Sequence, residues 1–83
     1  QGKYGVQLAS FAQEKDAKKA VKRYSDKYKG NLQAMVSDIQ KADLGSKGTH
    51  YRVRFIGAKT KNEANELCKK LKAQGQGCLA ISR

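Results

Sequence analysis

Between residues 49 and 56 the chain alternates strictly, with Tyr51, Val53 and Phe55 on one side and His50, Arg52 and Arg54 on the other. Aromatic and β-branched residues at a period of two predict a half-buried strand that closes at Gly57, one face on a core and a cationic face toward solvent. Residues 4–10 alternate in the same sense, with Tyr4, Val6 and Leu8 inward and Gln7 outward. From about Gln13 the period lengthens, and Ala17, Ala20, Val21, Tyr24 and Tyr28 fall at helical spacing with lysines between them. Glu14 and Asp16 in the first turn and Lys27 and Lys29 in the last suit the helix dipole, and Gly30 is the expected stop. Residues 31–40 read as a less regular strand and residues 41–48 as a mobile hairpin loop. Thr60 and Glu63 form a capping box for a second helix with the apolar stripe Ala64, Leu67, Cys68 and Leu71 and a stop at Gly75. Residues 78–81 predict a last short strand.

The order is βαββαβ, and the chain contains a weak repeat: a slide of 47 residues sets Tyr4 on Tyr51, Val6 on Val53 and Leu8 on Phe55. Two such halves predict an α+β fold of the ferredoxin/RNP-like kind, a four-stranded antiparallel sheet with two helices packed on one face. The first strands of the halves then pair at the centre, and Gln7 and Arg52 emerge side by side on the uncovered face.

Composition narrows what that face meets. A chain of 83 residues is one domain with a small core, and 39% hydrophobic against 30% charged residues is the balance of a folded chain. Eighteen Lys and Arg against seven acids give +11, which favours polyanions: nucleic acid, anionic lipid or an acidic polysaccharide. No apolar run approaches the ~18 residues of a membrane span, and no signal peptide is visible. The start Gln1-Gly2-Lys3 reads as that of a domain excised from a larger protein. A single histidine and two cysteines make a metal site a poor reading. Cys68 and Cys78 are either two small buried residues or a disulfide tying the second helix to the last strand. The disulfide is the favoured alternative and would imply an oxidising compartment. The spacing is not that of a Cys-x-x-Cys redox pair.

Taken together, these pieces resemble the SPOR domain, a bacterial module that binds peptidoglycan. Val6-Gln7-Leu8-Ala9-Ser10-Phe11 is similar to the family's opening V-Q-x-x-S-F, and Tyr51-Arg52-Val53-Arg54-Phe55-Ile56-Gly57 to its W-Y-R-V-x-x-G. Ala17, Ala64, Leu71 and Gly75 follow in order, so the likeness spans residues 4–81 and makes residues 1–83 a single SPOR-like domain, with its core at about 4–82, from a larger envelope protein. The resemblance implies the same βαββαβ fold and binding to glycan strands that amidases have stripped of stem peptides, on the periplasmic side of the envelope at the division septum. It assigns glycan contacts to Gln7, Ser10, His50 and Arg52. Position 50 is often a sugar-stacking Trp in the family and is His50 here. Arg54 joins the set from alternation alone. No cofactor and no metal is expected, and the domain is expected to be a monomer that meets a membrane only through other parts of its parent protein.

The leading alternative is a basic RRM-like nucleic-acid-binding domain, which shares the topology and the charge. Its outward strand residues would be base-stacking rings, whereas here they are His50, Arg52 and Arg54, so no specific nucleic acid is expected. An enzyme is the weaker alternative, since no paired carboxylates, Cys–His couple or glycine-rich phosphate loop is present. A docking module for a protein partner is a further class.

Overall fold

The first strands of the two halves do meet at the centre of the sheet. A computed structural model describes residues 2–83. Its elements are β1 (Tyr4–Phe11), α1 (Glu14–Lys27), α2 (Lys29–Leu32), β2 (Val36–Asp43), β3 (Thr49–Ala58), α3 (Lys61–Ala73) and β4 (Leu79–Ser82). The strands form one antiparallel sheet in the order β2-β3-β1-β4. α1 packs on β1 and β3, and α3 on β1 and β4, so both long helices lie on the same side. The α+β fold with one bare sheet face is as the repeat predicts.

The inward residues of the central strands, Val6, Leu8, Val53 and Phe55, meet Ala17, Ala20, Tyr24 and Tyr28 of the first helical segment and Cys68 and Leu71 of α3. Ala17, Ala20 and Ala64 are fully buried, and their small side chains let the helix backbones approach the sheet closely. The sequence places both ends of α3 correctly. At its start the Thr60 hydroxyl accepts from the Glu63 amide at 3.1 Å. The Glu63 carboxylate reaches the amide of Lys59 at 3.2 Å, one residue before the expected partner. At its end Gly75, at φ +85°, donates to the Lys72 carbonyl while Gln76 donates to that of Leu71. That pair of bonds satisfies two otherwise free carbonyls, and the positive φ suits glycine.

Three boundaries differ from expectation. Gly30 is not the stop of α1. The helix ends at Lys27, Tyr28 turns the chain, and Gly30 lies inside α2 without a left-handed φ. Tyr28 and Leu32, four residues apart, both bury on the core, and that burial holds the extra turn where sequence suggested a strand. β2 consequently begins at Val36 and runs through Asp43, absorbing the first three residues of the expected loop. What remains is a 3₁₀ turn over Gly45–Lys47, closed by Gly48 donating to Gly45 and by the Asp43 carboxylate accepting from the Gly45 amide.

Cys68 and Cys78 are joined, with Cα atoms 5.3 Å apart, so α3 is tied to the residue that leads into β4. β4 is only four residues long and sits at a sheet edge, paired with β1 alone. A bridge closing so short a loop stabilises by about 3 kcal/mol in the chain-entropy view. Reduction should therefore lower the melting temperature by about 10 °C or more, read by circular dichroism with and without reductant. An unchanged melting curve would remove the bridge from the stability of the fold.

Candidate functional site

The bare face is built in rows across the strands, and the register fixes their members. Val36, Ile56, Gly5 and Ile81 form the row at one end. The next holds Asp38, Arg54, Gln7 and Leu79, and beyond it Gln40, Arg52 and Ser10 lie side by side. His50 follows opposite Ala42, with its Nδ1 3.4 Å from the Ser10 hydroxyl. All five residues expected on this face lie on it. Their pairing differs from expectation in one respect: the neighbour of Gln7 is Arg54, and the neighbour of Arg52 is Ser10.

A β-bulge makes this arrangement possible. Gln7 and Ser10 are three residues apart, and unbroken alternation would send them to opposite faces. The ladder from Gln7–Arg54 to Ala9–Val53 leaves Leu8 as an extra residue on β1. Leu8 and Ala9 then both face the helices, and Ser10 returns to the open side. The Leu8 carbonyl is met by Gln76, whose Nε2 donates to it at 3.2 Å. The Tyr28 hydroxyl in turn donates to Gln76 Oε1 at 3.1 Å. A side chain from the loop before β4 and a tyrosine at the end of α1 thus hold the irregularity that points Ser10 outward.

The two arginines are not equivalent. Arg54 donates from Nε (3.0 Å) and from Nη2 to one carboxylate oxygen of Asp38, and its side chain is only 12% exposed. Its charge is matched within the sheet. Arg52 has only a long contact of 3.4 Å to the Gln40 side chain and no acidic partner among the described residues. Arg52 is therefore the guanidinium free to pair with an incoming anion, with two parallel N–H groups. Asp38 and Gln40 were not anticipated from the sequence. Once β2 is set at Val36–Asp43, alternation alone puts both on this face.

Charge and rings are distributed unevenly between the two sides. The open face carries two guanidiniums against one carboxylate, while exposed Lys15, Lys18, Lys19, Lys22 and Arg23 of α1 and Lys69, Lys70 and Lys72 of α3 lie on the helical side. With their five acids counted, these two helices carry a net +5 of the +11 charge, remote from the candidate site. Every Tyr and Phe faces the helices. Tyr24, Tyr28 and Phe55 are in the core, Phe11 and Tyr51 pack against it, and Tyr4 shares the inward parity of Val6. The open face has no phenyl or phenol ring to stack on a base or a sugar. Its chemistry is that of guanidinium, amide, hydroxyl, imidazole and aliphatic groups.

A family model described as the SPOR domain matches residues 1–82. Among solved structures, the chain is similar to the solution structure of the peptidoglycan binding domain of the B. subtilis cell wall lytic enzyme CwlC. That likeness covers 96% of this chain and 87% of that one, at 21% identity and a TM-score of 0.62. At such identity it is a likeness of fold. No curated protein matches the chain.

The bulge gives a test independent of any ligand. Gln76→Ala leaves the Leu8 carbonyl and the Tyr28 hydroxyl without their shared partner. It should cost about 1–2 kcal/mol in denaturant titration and speed amide exchange at residues 8–10. Unchanged stability and exchange would show that the bulge stands without Gln76.

Proposed function

The chain belongs to the SPOR-domain family, and from that premise we propose that it is a non-catalytic module that binds peptidoglycan, preferring glycan strands denuded of stem peptides. In the cell it serves to hold a larger envelope protein at the division septum, on the periplasmic side, where the Cys68–Cys78 disulfide is at home. The observation that carries this reading is the unpaired Arg52 set between Ser10 and Gln40, with His50 beside them, on a face without phenyl or phenol rings.

Removing the stem peptide from a muramic acid converts the lactyl amide into a free carboxylate. A guanidinium distinguishes the two, because only the carboxylate offers two charged acceptor oxygens in one plane. Arg52 takes that carboxylate. Ser10, Gln40 and Gln7 supply the amide and hydroxyl groups that meet acetamido and ring-hydroxyl groups. His50, where a stacking Trp is frequent in the family, offers a hydrogen bond in addition to its flat imidazole surface. Arg54 orders the face through Asp38 rather than meeting the ligand first, and Asp38 tempers the attraction of any anion to the centre of the sheet. The helical lysines favour polyanions in general, an attraction that salt weakens steeply.

Sedimentation with sacculi at about physiological ionic strength, using single-stranded RNA as a second polyanion, separates these contributions. More protein should sediment with amidase-treated sacculi than with untreated ones, and RNA should compete poorly. Equal binding to all three, lost on adding salt, would reduce the interaction to net charge. Arg52→Ala should weaken glycan binding about tenfold or more, the scale of one charge-assisted hydrogen-bonded pair, with the melting temperature unchanged; retained binding would exclude Arg52 as the carboxylate partner. Asp38→Asn, which releases Arg54 and removes the one carboxylate of the face, should tighten binding a few-fold. Weaker binding by that variant would mean that the Asp38–Arg54 pair holds the face in shape.

A further inference from the structure

At the far end of β3 from His50 the open face changes character. Ile56 has the outward parity of Arg52 and Arg54, yet it is 3% exposed. Its side chain lies against the backbone of Gly5 on the neighbouring strand, where a Cβ would collide with the Phe55 carbonyl oxygen and come within 2.9 Å of Ile56 Cδ1. Gly57, the extra residue of a second irregularity between the Tyr4–Ala58 and Gly5–Ile56 pairs, turns the strand end toward Ala34 at φ +151°. A groove of about 370 Å³ results, lined by Ala34, Val36, Ile56 and Gly57 and flanked by Lys59 and Arg83. Val36, at its mouth, is 63% exposed, an unusual position for a valine. Neither Lys59 nor Arg83 has an acidic partner among the described residues.

We propose that this groove is an end subsite of the glycan-binding face, taking a carboxylate-bearing, N-acetylated sugar further along the same strand that Arg52 engages. The inference rests on the glycan reading given above. The apolar floor of Val36 and Ile56 accepts the acetamido methyl and the aliphatic face of a pyranose ring, which can be desolvated there without stranding a polar protein group. Lys59 and Arg83 at the rim supply cations for the next free carboxylate, so polarity and charge match one repeating ligand at both positions. The groove is continuous with the candidate site along β3. Four residues of extended strand separate Ile56 from Arg52, about 13 Å, so only a ligand of several sugars reaches both.

The consequence is a dependence of affinity on glycan length that resides in the groove and not in Arg52. Calorimetric titration of the disulfide-bonded domain with peptide-free disaccharide and octasaccharide of alternating N-acetylglucosamine and N-acetylmuramic acid tests it, because a disaccharide is too short to span the two positions. The unmodified domain should bind the longer oligomer about tenfold more tightly. A Lys59→Ala, Arg83→Ala double variant, and separately Val36→Asp, should keep the affinity for the disaccharide and lose most of that gain. Because Lys59, Arg83 and Val36 are all exposed, these changes leave the fold in place, and melting curves verify that. If the variants keep the full gain, or if the unmodified domain shows none, the end subsite is wrong while the reading of the Arg52 face stands. If the unmodified domain binds neither oligomer, the glycan reading itself falls and takes the subsite with it.

Discussion

Two helices can cover only one side of a four-stranded sheet, and in this chain that constraint sorts the side chains. Five of the six tyrosines and phenylalanines lie in or against the core that a domain of 83 residues must build. Burying the rings on one side leaves the other with polar, charged and aliphatic groups. The bare face is therefore suited to a ligand recognised by hydrogen bonds and paired charge, and poorly suited to one recognised by stacking. The same pairing of β1 with β3 that centres the core also brings Gln7, Ser10, Arg52 and Arg54 within one patch.

Electrostatics follows the same division. The two long helices carry ten Lys and Arg against five acids, whereas the open face holds a free Arg52 and an Arg54 neutralised by Asp38. Net charge then describes the helical side more than the candidate site. A field from the helices raises the encounter rate with any polyanion, while under the proposed reading selection among polyanions falls to a few groups on the sheet. Sequence composition, which sums over both sides, does not separate these two roles.

Most of the architecture was legible in the sequence because its signals are periodic and local. Strict alternation around Val53, helical spacing from Ala17 to Tyr28, and the start and stop of α3 at Thr60 and Gly75 each correspond to an observed element. The misplaced elements are those with weak local signals. α2 is a single turn held by burial of Tyr28 and Leu32, and β2 is an edge strand that mixes Lys41 and Asp43 into an exposed surface, so it resembles a loop. The site was legible as a set of residues and not as a set of neighbours. Neither bulge can be read from alternation, and each shifts who faces whom. Asp38 went unnoticed because an acid on an edge strand looks like ordinary solvated surface until register places it against Arg54.

The bulge at Leu8 also means that β1 contains two readable faces rather than one. With the extra residue in place, the strand shows solvent Gln7 and Ser10. Drawn into regular alternation, the same residues would turn Ser10 toward the helices and set Ala9 and Phe11 outward, giving a sheet surface with an aromatic ring. One hydrogen bond from Gln76, anchored by Tyr28, favours the polar version over the aromatic one. Ligand class in a fold of this kind can thus turn on the parity of a strand as much as on its composition, and an alignment of residues that ignores the bulge would assign the wrong ones to the face.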